Sequence, residues 1–210
     1  MNDKKCVISE VQSAFMNNEF PVDNYLLGSY EGSEPFGEIE PFKGQEIWRH
    51  IPSQVLDSHA SALSFFSEAC LRYFLPAYLI ADLKNQLDSA DPLFVLVYGF
   101  SDRSVEHRIG DQVFIRNTGK DSYLNPRRYG GMTFYDYSQY RLSIFTREES
   151  QAIVSYLNYK KDRSPLNLDK EEIKAALELF WNDRALHAPT KESLDQFVLE
   201  EEHYLDVISD

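Results

Sequence analysis

Arginine and tyrosine side chains lie close together in the middle of the chain, and their chemistry suits a small anion. Arg127 and Arg128 are adjacent, and Tyr135 and Tyr137 follow them. A guanidinium donates paired hydrogen bonds to phosphate or carboxylate, and a tyrosine adds a ring face and a hydroxyl. The favoured interpretation is that the arginines pair with acids of the same chain, because this is common in a chain of mixed charge. The alternative is an anion pocket formed by these residues together with Arg72 and the tyrosines up to Tyr140.

An acidic connection over positions 21–46 is the second candidate binding region. It is rich in proline and glycine, has no apolar period, and carries many acids against the single Lys43. Carboxylates suit hard cations, but the alternating acid pattern of a calcium loop is absent. We therefore predict a solvated or docking surface and no metal, with Glu31, Glu34 and Glu38 as binding residues. The apolar residues of this connection predict that it packs onto the core.

Motifs for catalysis are missing from the sequence. There is no nucleophile elbow, no phosphate-cradling glycine loop and no dinucleotide fingerprint, and the five histidines are scattered. We therefore predict no cofactor and favour a non-catalytic protein. An enzyme that uses the arginine and tyrosine pocket remains the alternative.

Charge and composition narrow the class of partner. Asp and Glu number 34 and Lys and Arg number 21, which gives a net charge of −13. Such a protein repels nucleic-acid phosphates and anionic membranes, so we predict neither as a partner, and a basic protein is favoured. The sequence contains no apolar run long enough for a membrane span, so none is predicted. The two cysteines lack metal-ligand spacing, which fits a reducing compartment and predicts a cytoplasmic location.

The stretch from 48 to 87 is the predicted centre of the fold. Ser67 followed by Glu68 predicts a helix start, and apolar residues then recur at three- and four-residue steps up to Leu87. Pro76 interrupts this stretch, so it is either one kinked helix or two helices. The unbroken apolar period favours the kink. A groove at the kink, with Tyr78 as a binding residue, is the alternative to a purely structural role.

Patterns elsewhere predict the remaining elements. Helices are expected over 4–18, after the capping box Thr146–Glu149, from Asp169, and over 191–204. The apolar run 93–100 is expected to be a strand, with a helix as the alternative, and it could pair with the alternating segment 111–117 as a hairpin. The aromatic run 134–145 is expected to be a strand or a wrap over the core, with the lining of a pocket as the alternative. The predicted fold is α+β, a mainly helical single domain with a small antiparallel sheet or hairpin. Residues 1–165 form the main domain, and 166–210 a C-terminal helical extension packed on it.

The central stretch resembles an uncharacterised bacterial family, a domain of unknown function, over positions 15 to 160. The resemblance implies a soluble bacterial protein and no particular activity. Gly44 and the pair Asp91-Pro92 are also similar. The residues that carry the resemblance are Trp48, Ile51, Ala62, Leu63, Phe65, Phe66, Ser67, Ala69, Arg72, Tyr73, Leu75, Pro76, Ala77, Tyr78 and Leu79.

These observations favour a cytosolic protein-binding module, of regulatory or immunity type, that uses acidic and aromatic surfaces to bind a basic protein. Acids at the rim of an interface speed the capture of a basic partner, and aromatic residues anchor it. A small-anion-binding protein or enzyme is the first alternative, and a structural subunit of a homo-oligomer is the second.

Overall fold

The structure is a computed structural model that describes residues 3–100, 103–109, 112–118 and 133–196. Helices dominate these ranges. Their bounds are α1 Lys4–Ala14, α2 Glu34–Ile39, α3 Ser53–Ser58, α4 Ala62–Phe65, α5 Glu68–Leu83, α6 Pro92–Val97, α7 Phe134–Leu142, α8 Arg147–Arg163, α9 Asn167–Ala176 and α10 Asn182–His187. Short 3₁₀ turns lie at Asp23–Tyr25, Glu40–Phe42 and Trp48–His50, a π-helical turn at Leu177–Trp181 joins α9 to α10, and residues 191–196 are also helical.

Helix α5 lies at the centre of the molecule. The Ser67 hydroxyl caps it by accepting a hydrogen bond from the Cys70 N–H at 3.1 Å, as the sequence predicts. It continues through Pro76 as one helix, so the prediction of a single helix over two is confirmed. Most of its residues are buried on every side, which is typical of a helix enclosed by others. Helices α1, α3 and α6 and the turn at Trp48–His50 pack around it.

Aromatic rings fill the space beside α5. Phe42 lies with its ring centroid 4.9 Å from that of Phe66 and 5.1 Å from that of Phe74, both in edge-on arrangements. Tyr78 is also fully buried here, and its hydroxyl points to the His59 carbonyl at 3.5 Å. Edge-on aromatic pairs add packing specificity to the area that they bury. The connection 21–46 therefore contributes to the core through Phe42.

One buried carboxylate ties the helices together. Helix α8 begins with the predicted capping box, in which Thr146 and Glu149 each bond the backbone N–H of the other. The Glu149 side chain, 1% exposed, also accepts hydrogen bonds from Arg72 Nε at 3.0 and 2.9 Å and from Asn18 Nδ2 at 2.7 Å. This carboxylate connects α8 with α5 and with the chain that follows α1.

The α+β class predicted from the sequence is wrong, because the structure is mainly helical. The run 93–100, predicted as a strand, contains α6, and the aromatic run 134–145 contains α7. Two strands, β1 Arg103–Ile109 and β2 Gln112–Thr118, pair antiparallel, and within the described residues they pair only with each other and form no layer of the fold. The predicted pairing of 93–100 with 111–117 is therefore also wrong.

The helices after α8 pack on the same core. The Trp181 indole N–H donates to the Leu96 carbonyl at 2.9 Å, and the Phe180 ring stacks on Phe100 at 5.3 Å. A π-helical turn widens the helix, which lets these consecutive aromatic residues both face inward. Helix α9 begins at Asn167 and not at Asp169, whose carboxylate accepts from the Ser164 hydroxyl at 2.8 Å. The division into 1–165 and 166–210 stays a prediction.

No helix in the described part of the chain combines the length and the apolar character that crossing a membrane requires.

Replacing Glu149 with alanine should reduce the free energy of unfolding by about 3 kcal/mol or more, because Arg72 then loses its partner in a mostly buried site. The exposed neighbour Glu148 supplies the matched control, and Glu148→Ala should change stability by less than about 0.5 kcal/mol. Urea unfolding of both variants measures the difference. Equal losses in the two variants would contradict the role of the Glu149 carboxylate.

Asp57 should contribute to stability in a pH-dependent way. Its carboxylate accepts hydrogen bonds from the backbone N–H groups of Ala90, Ser89 and Asp88 at 3.0, 2.7 and 2.8 Å, which hold the pKa of the Asp57 carboxyl below its ordinary value. A lowered folded-state pKa gives stability that is complete above the ordinary value of about 3.9 and is lost as the pH falls through the folded-state value.

The variant Asp57→Ala should therefore be less stable than the wild type at neutral pH, and the gap should close in acid below about pH 3.9. Urea unfolding across a pH series measures this gap. Asp88→Ala, at an exposed position in the bound loop, is the control and should leave the pH dependence unchanged. A gap for Asp57→Ala that stays constant with pH would show that the ionised carboxylate is not the cause.

Candidate binding groove

A groove with a volume of about 590 Å³ opens between the segment that follows Asp23, the first turn of α5 and the connection from α7 to α8. Three of its lining residues are exposed tyrosines: Tyr25, Tyr30 and Tyr140 have exposed fractions of 68%, 66% and 59%. The other residues that line it are Asn24, Leu27, Ser67, Glu68, Ala69, Ser143, Ile144, Phe145, Thr146, Arg184, Pro189 and Leu194.

Backbone hydrogen bonds fix the wall that carries Tyr25 and Tyr30. The Gly28 N–H donates to the Phe65 carbonyl at 2.7 Å, and the Ser67 N–H donates to the Leu26 carbonyl at 2.9 Å. The Ser67 hydroxyl also donates to the Tyr25 carbonyl. A Cβ atom at Gly28 would lie 2.6 Å from a backbone oxygen, so only glycine allows this close approach. The wall is therefore attached to the start of α5.

A buried arginine positions the opposite wall, which carries Tyr140. The next residue, Arg141, donates from Nη2 to the carbonyls of Leu63 and Phe66 at the end of α4. Cationic side chains stabilise the free carbonyls at a helix C-terminus. Helix α7 is fixed further by the Ser138 hydroxyl, which donates to the Tyr98 carbonyl at 2.7 Å. Both walls are thus held against the segment 63–67.

Two charged side chains of the described residues, Arg184 and Glu68, line the groove, and they differ in their hydrogen bonding. Arg184 donates from Nη2 to the carbonyls of Ser143 and Phe145 at 2.7 Å each, and partial burial lowers the pKa of its guanidinium. Glu68, in the first turn of α5, has no hydrogen bond or ion pair among the described residues. Arg184 Nε is buried and has no hydrogen-bond partner among the described residues, so the groove holds one unpaired charge of each sign.

The acidic segment borders the groove beside Tyr30. The Tyr30 ring meets the Phe36 ring edge-on at 6.4 Å, and Phe36 belongs to α2, which begins at Glu34. Glu31 and Glu34 are exposed to solvent. Glu38 differs, because its Oε1 lies 3.9 Å from His59 Nδ1 and its side chain is about one-fifth exposed. Two of the three predicted acidic residues thus face solvent next to the groove.

The arginines and tyrosines of the predicted anion pocket are not brought together in the described residues. Arg72 is engaged by Glu149 beside α5, and Tyr78 is buried in the aromatic core, where desolvation raises the pKa of its hydroxyl. Tyr135 is half-buried with its ring 5.9 Å from that of Phe100, and Tyr137 is half-buried on the same helix. Arg127 and Arg128 lie outside the described residues, so the anion pocket stays a prediction.

In the described part of the chain, no group of three or more His, Cys, Asp or Glu side chains is placed to hold a metal ion.

The sequence did not identify the tyrosines of the groove as a set. It predicted that the apolar residues of 21–46 pack onto the core, which is true of Leu26, Ile39 and Phe42. Tyr25, Tyr30 and Phe36 are exposed instead. The available signal was the residue type, since tyrosine has a polar hydroxyl and is enriched at interfaces, whereas leucine is not. Tyr140 carries the same signal, but more than 100 residues separate it from Tyr25 and Tyr30, so nothing local in the sequence connects them.

The described residues form a mainly helical protein with a tyrosine-lined groove. A family of unknown function, DUF6714, matches residues 5–112, which is just over half of the chain, so the protein belongs to this family. The match includes Tyr25, Tyr30 and Glu68 but not Tyr140. The particular residue pattern and the bacterial origin stay predictions. No curated protein and no solved structure matches the chain.

Replacing Gly28 with alanine should disturb the tyrosine wall. The added Cβ would clash with the Phe66 carbonyl, and overpacking of this kind costs about 1–3 kcal/mol. Gly37, in α2, has open space around its Cβ position and is the matched control. Gly37→Ala should be neutral or stabilising by up to about 1 kcal/mol, because alanine is a better helix former. Urea unfolding and near-ultraviolet circular dichroism measure the two effects, and a neutral Gly28→Ala would contradict the close approach.

Proposed function

We propose that the protein is a non-catalytic, cytoplasmic protein-binding module of regulatory or immunity type, which docks a segment of a basic partner protein in the tyrosine-lined groove. The observation that carries this proposal is the convergence of Tyr25, Tyr30 and Tyr140, each more than half exposed, on one groove. Large aromatic side chains that remain exposed next to an apolar groove are typical of binding sites.

The groove is large enough to hold side chains of a partner. Its volume of about 590 Å³ falls within the range of roughly 300–1,000 Å³ that is usual for ligand sites. Tyrosine gives a large contact area at a small cost in side-chain entropy, because only two torsions are fixed on binding. The walls are tied by hydrogen bonds to the segment 63–67, so little backbone ordering is needed when a partner binds.

The charge distribution favours a basic partner over other classes. The net charge of −13 attracts a basic protein over long range and repels nucleic acid and anionic lipid. Glu31 and Glu34 stand exposed beside Tyr30, where they would act as an acidic rim. Rim charges of this kind raise the rate of association more than the final affinity. Association should therefore slow as salt is added.

The hydroxyl groups at the base of the groove favour binding over catalysis. Ser67 and Thr146 line the groove, but both use their hydroxyls to cap helices α5 and α8. A nucleophilic hydroxyl needs a base within hydrogen-bond distance, and the partners of these two hydroxyls are backbone groups. The homo-oligomer and small-anion alternatives stay predictions.

Selection of a random-peptide display library on the full chain tests the proposal. We expect the selected peptides to be basic and to lose at least tenfold in affinity for the double variant Tyr30→Ala, Tyr140→Ala, because each truncated anchor costs about 1 kcal/mol or more. Leu186→Ala is the control, since Leu186 is as exposed as Tyr30, at 67%, and lies outside the groove.

Glu31→Gln with Glu34→Gln should slow peptide association at low salt and reduce its salt dependence. A library that yields no binders, or binders that keep full affinity for the double tyrosine variant, would refute the docking function of the groove.

A further inference from the structure

We infer that the groove selects an arginine side chain of the partner, with the guanidinium held between the tyrosine rings and the Glu68 carboxylate. This inference rests on the proposed function and names the side chain that the groove recognises.

The Glu68 carboxylate is suited to hold a cation. It lines the groove, is half-buried, and has no hydrogen bond or ion pair within the described part of the chain. A carboxylate that is partly shielded from water forms stronger charged hydrogen bonds than one on an open surface. An incoming cation would therefore find an uncommitted carboxylate partner.

The tyrosine rings supply the second component of cation recognition. The negative faces of aromatic rings attract a cation that lies within about 6 Å of the ring centroid. Tyr25, Tyr30 and Tyr140 border the same groove as Glu68, and none of their hydroxyls has a hydrogen-bond partner among the described residues. The rings are therefore available to a ligand. Three rings and one carboxylate around a single space suit a charged side chain better than a neutral one.

Apolar residues complete the groove along the path of the side chain. Leu27, Ile144 and Leu194 line it together with the tyrosines. The aliphatic stem of a long basic side chain can bury its methylene groups against such a wall while its charged head reaches a carboxylate. A free inorganic or metal cation would make no use of these apolar contacts, so the groove fits a basic side chain of a protein.

Arginine fits this arrangement better than lysine. Its planar guanidinium stacks on aromatic rings, bonds a carboxylate through two N–H groups and is more weakly hydrated than an ammonium. The protein already contains this contact, because the Arg163 guanidinium carbon lies 3.8 Å from the Tyr159 ring centroid and that of Arg49 lies 5.5 Å from Trp48. Arginine bound in the groove would make the same arginine–aromatic contact between two proteins that Arg163 and Arg49 make within this chain.

Among the residues that the structure describes, Arg184 is the one cation that lines the groove, and its hydrogen bonds limit the repulsion that it exerts. Two carbonyl oxygens, those of Ser143 and Phe145, accept hydrogen bonds from its Nη2. Their partial negative charges offset part of the guanidinium charge. The attraction of an arriving arginine to Glu68 and the tyrosine rings must exceed the repulsion that remains at Arg184.

Nuclear magnetic resonance titration with Nα-acetyl-arginine amide tests the inference without any partner protein. We expect chemical-shift changes at Tyr30, Glu68 and Tyr140, and at least tenfold weaker binding of the isosteric neutral probe Nα-acetyl-citrulline amide, because a charged hydrogen bond is lost. The lysine probe should bind with intermediate affinity. Equal shifts with the arginine and citrulline probes would overturn the inference.

Variants at Glu68 separate charge from structure. Glu68→Gln should weaken the arginine probe roughly tenfold, whereas Glu68→Asp should retain most of the affinity because the charge remains. Glu178→Gln, at an exposed acid outside the groove, is the control and should have no effect. Circular dichroism checks that each variant is folded. Unchanged binding of the arginine probe to folded Glu68→Gln would overturn the assignment.

The peptides selected by display distinguish the two proposals. Peptides that need Tyr30 and Tyr140 and lose affinity when one arginine is replaced by citrulline support both proposals. Peptides that need the tyrosines but tolerate citrulline at every position overturn the arginine inference and leave the docking function standing. Peptides that bind without needing the tyrosines overturn both.

Discussion

The Glu149 carboxylate is the contact on which the arrangement of the helices depends. It caps α8 through the Thr146 backbone, pairs with Arg72 on α5 and accepts from Asn18 after α1. A buried carboxylate is tolerated only when its oxygens are satisfied, and here each oxygen has at least two donors. The geometry of three chain segments is therefore set by one residue.

The groove follows from how its two walls are attached. The wall with Tyr25 and Tyr30 is bonded to the segment 65–67, and the wall with Tyr140 is bonded to Leu63 and Phe66 through Arg141. Both attachments reach the short region between α4 and α5. Carbonyl groups at the end of one helix and a hydroxyl at the start of the next provide the partners. A binding site built on such a fixed region is largely formed before any partner arrives.

Helix α6 shows which sequence signals were misjudged. The run 93–100 is apolar and β-branched, which suggested a strand. Asp91 and Pro92 precede it, and in the structure the Asp91 carboxylate accepts from the Phe94 N–H at 3.1 Å with Pro92 in the first helical turn. An acid cap followed by proline is a helix-start signal. For a run this short, the helix-start signal of Asp91 and Pro92 is a better indication of the structure than the β propensity of the residues that follow.

The sequence by itself determined the local elements and the long-range charge. Ser67 and the Thr146–Glu149 pair marked helix starts, because capping depends on neighbouring residues alone. Only the tertiary structure decided that Arg72 forms an ion pair with Glu149 and that Tyr30 and Tyr140 line one groove. These contacts join residues 77 or more positions apart, and no local periodicity encodes which distant segments meet. The candidate site is therefore a product of packing, whereas its acidic surroundings are a product of composition.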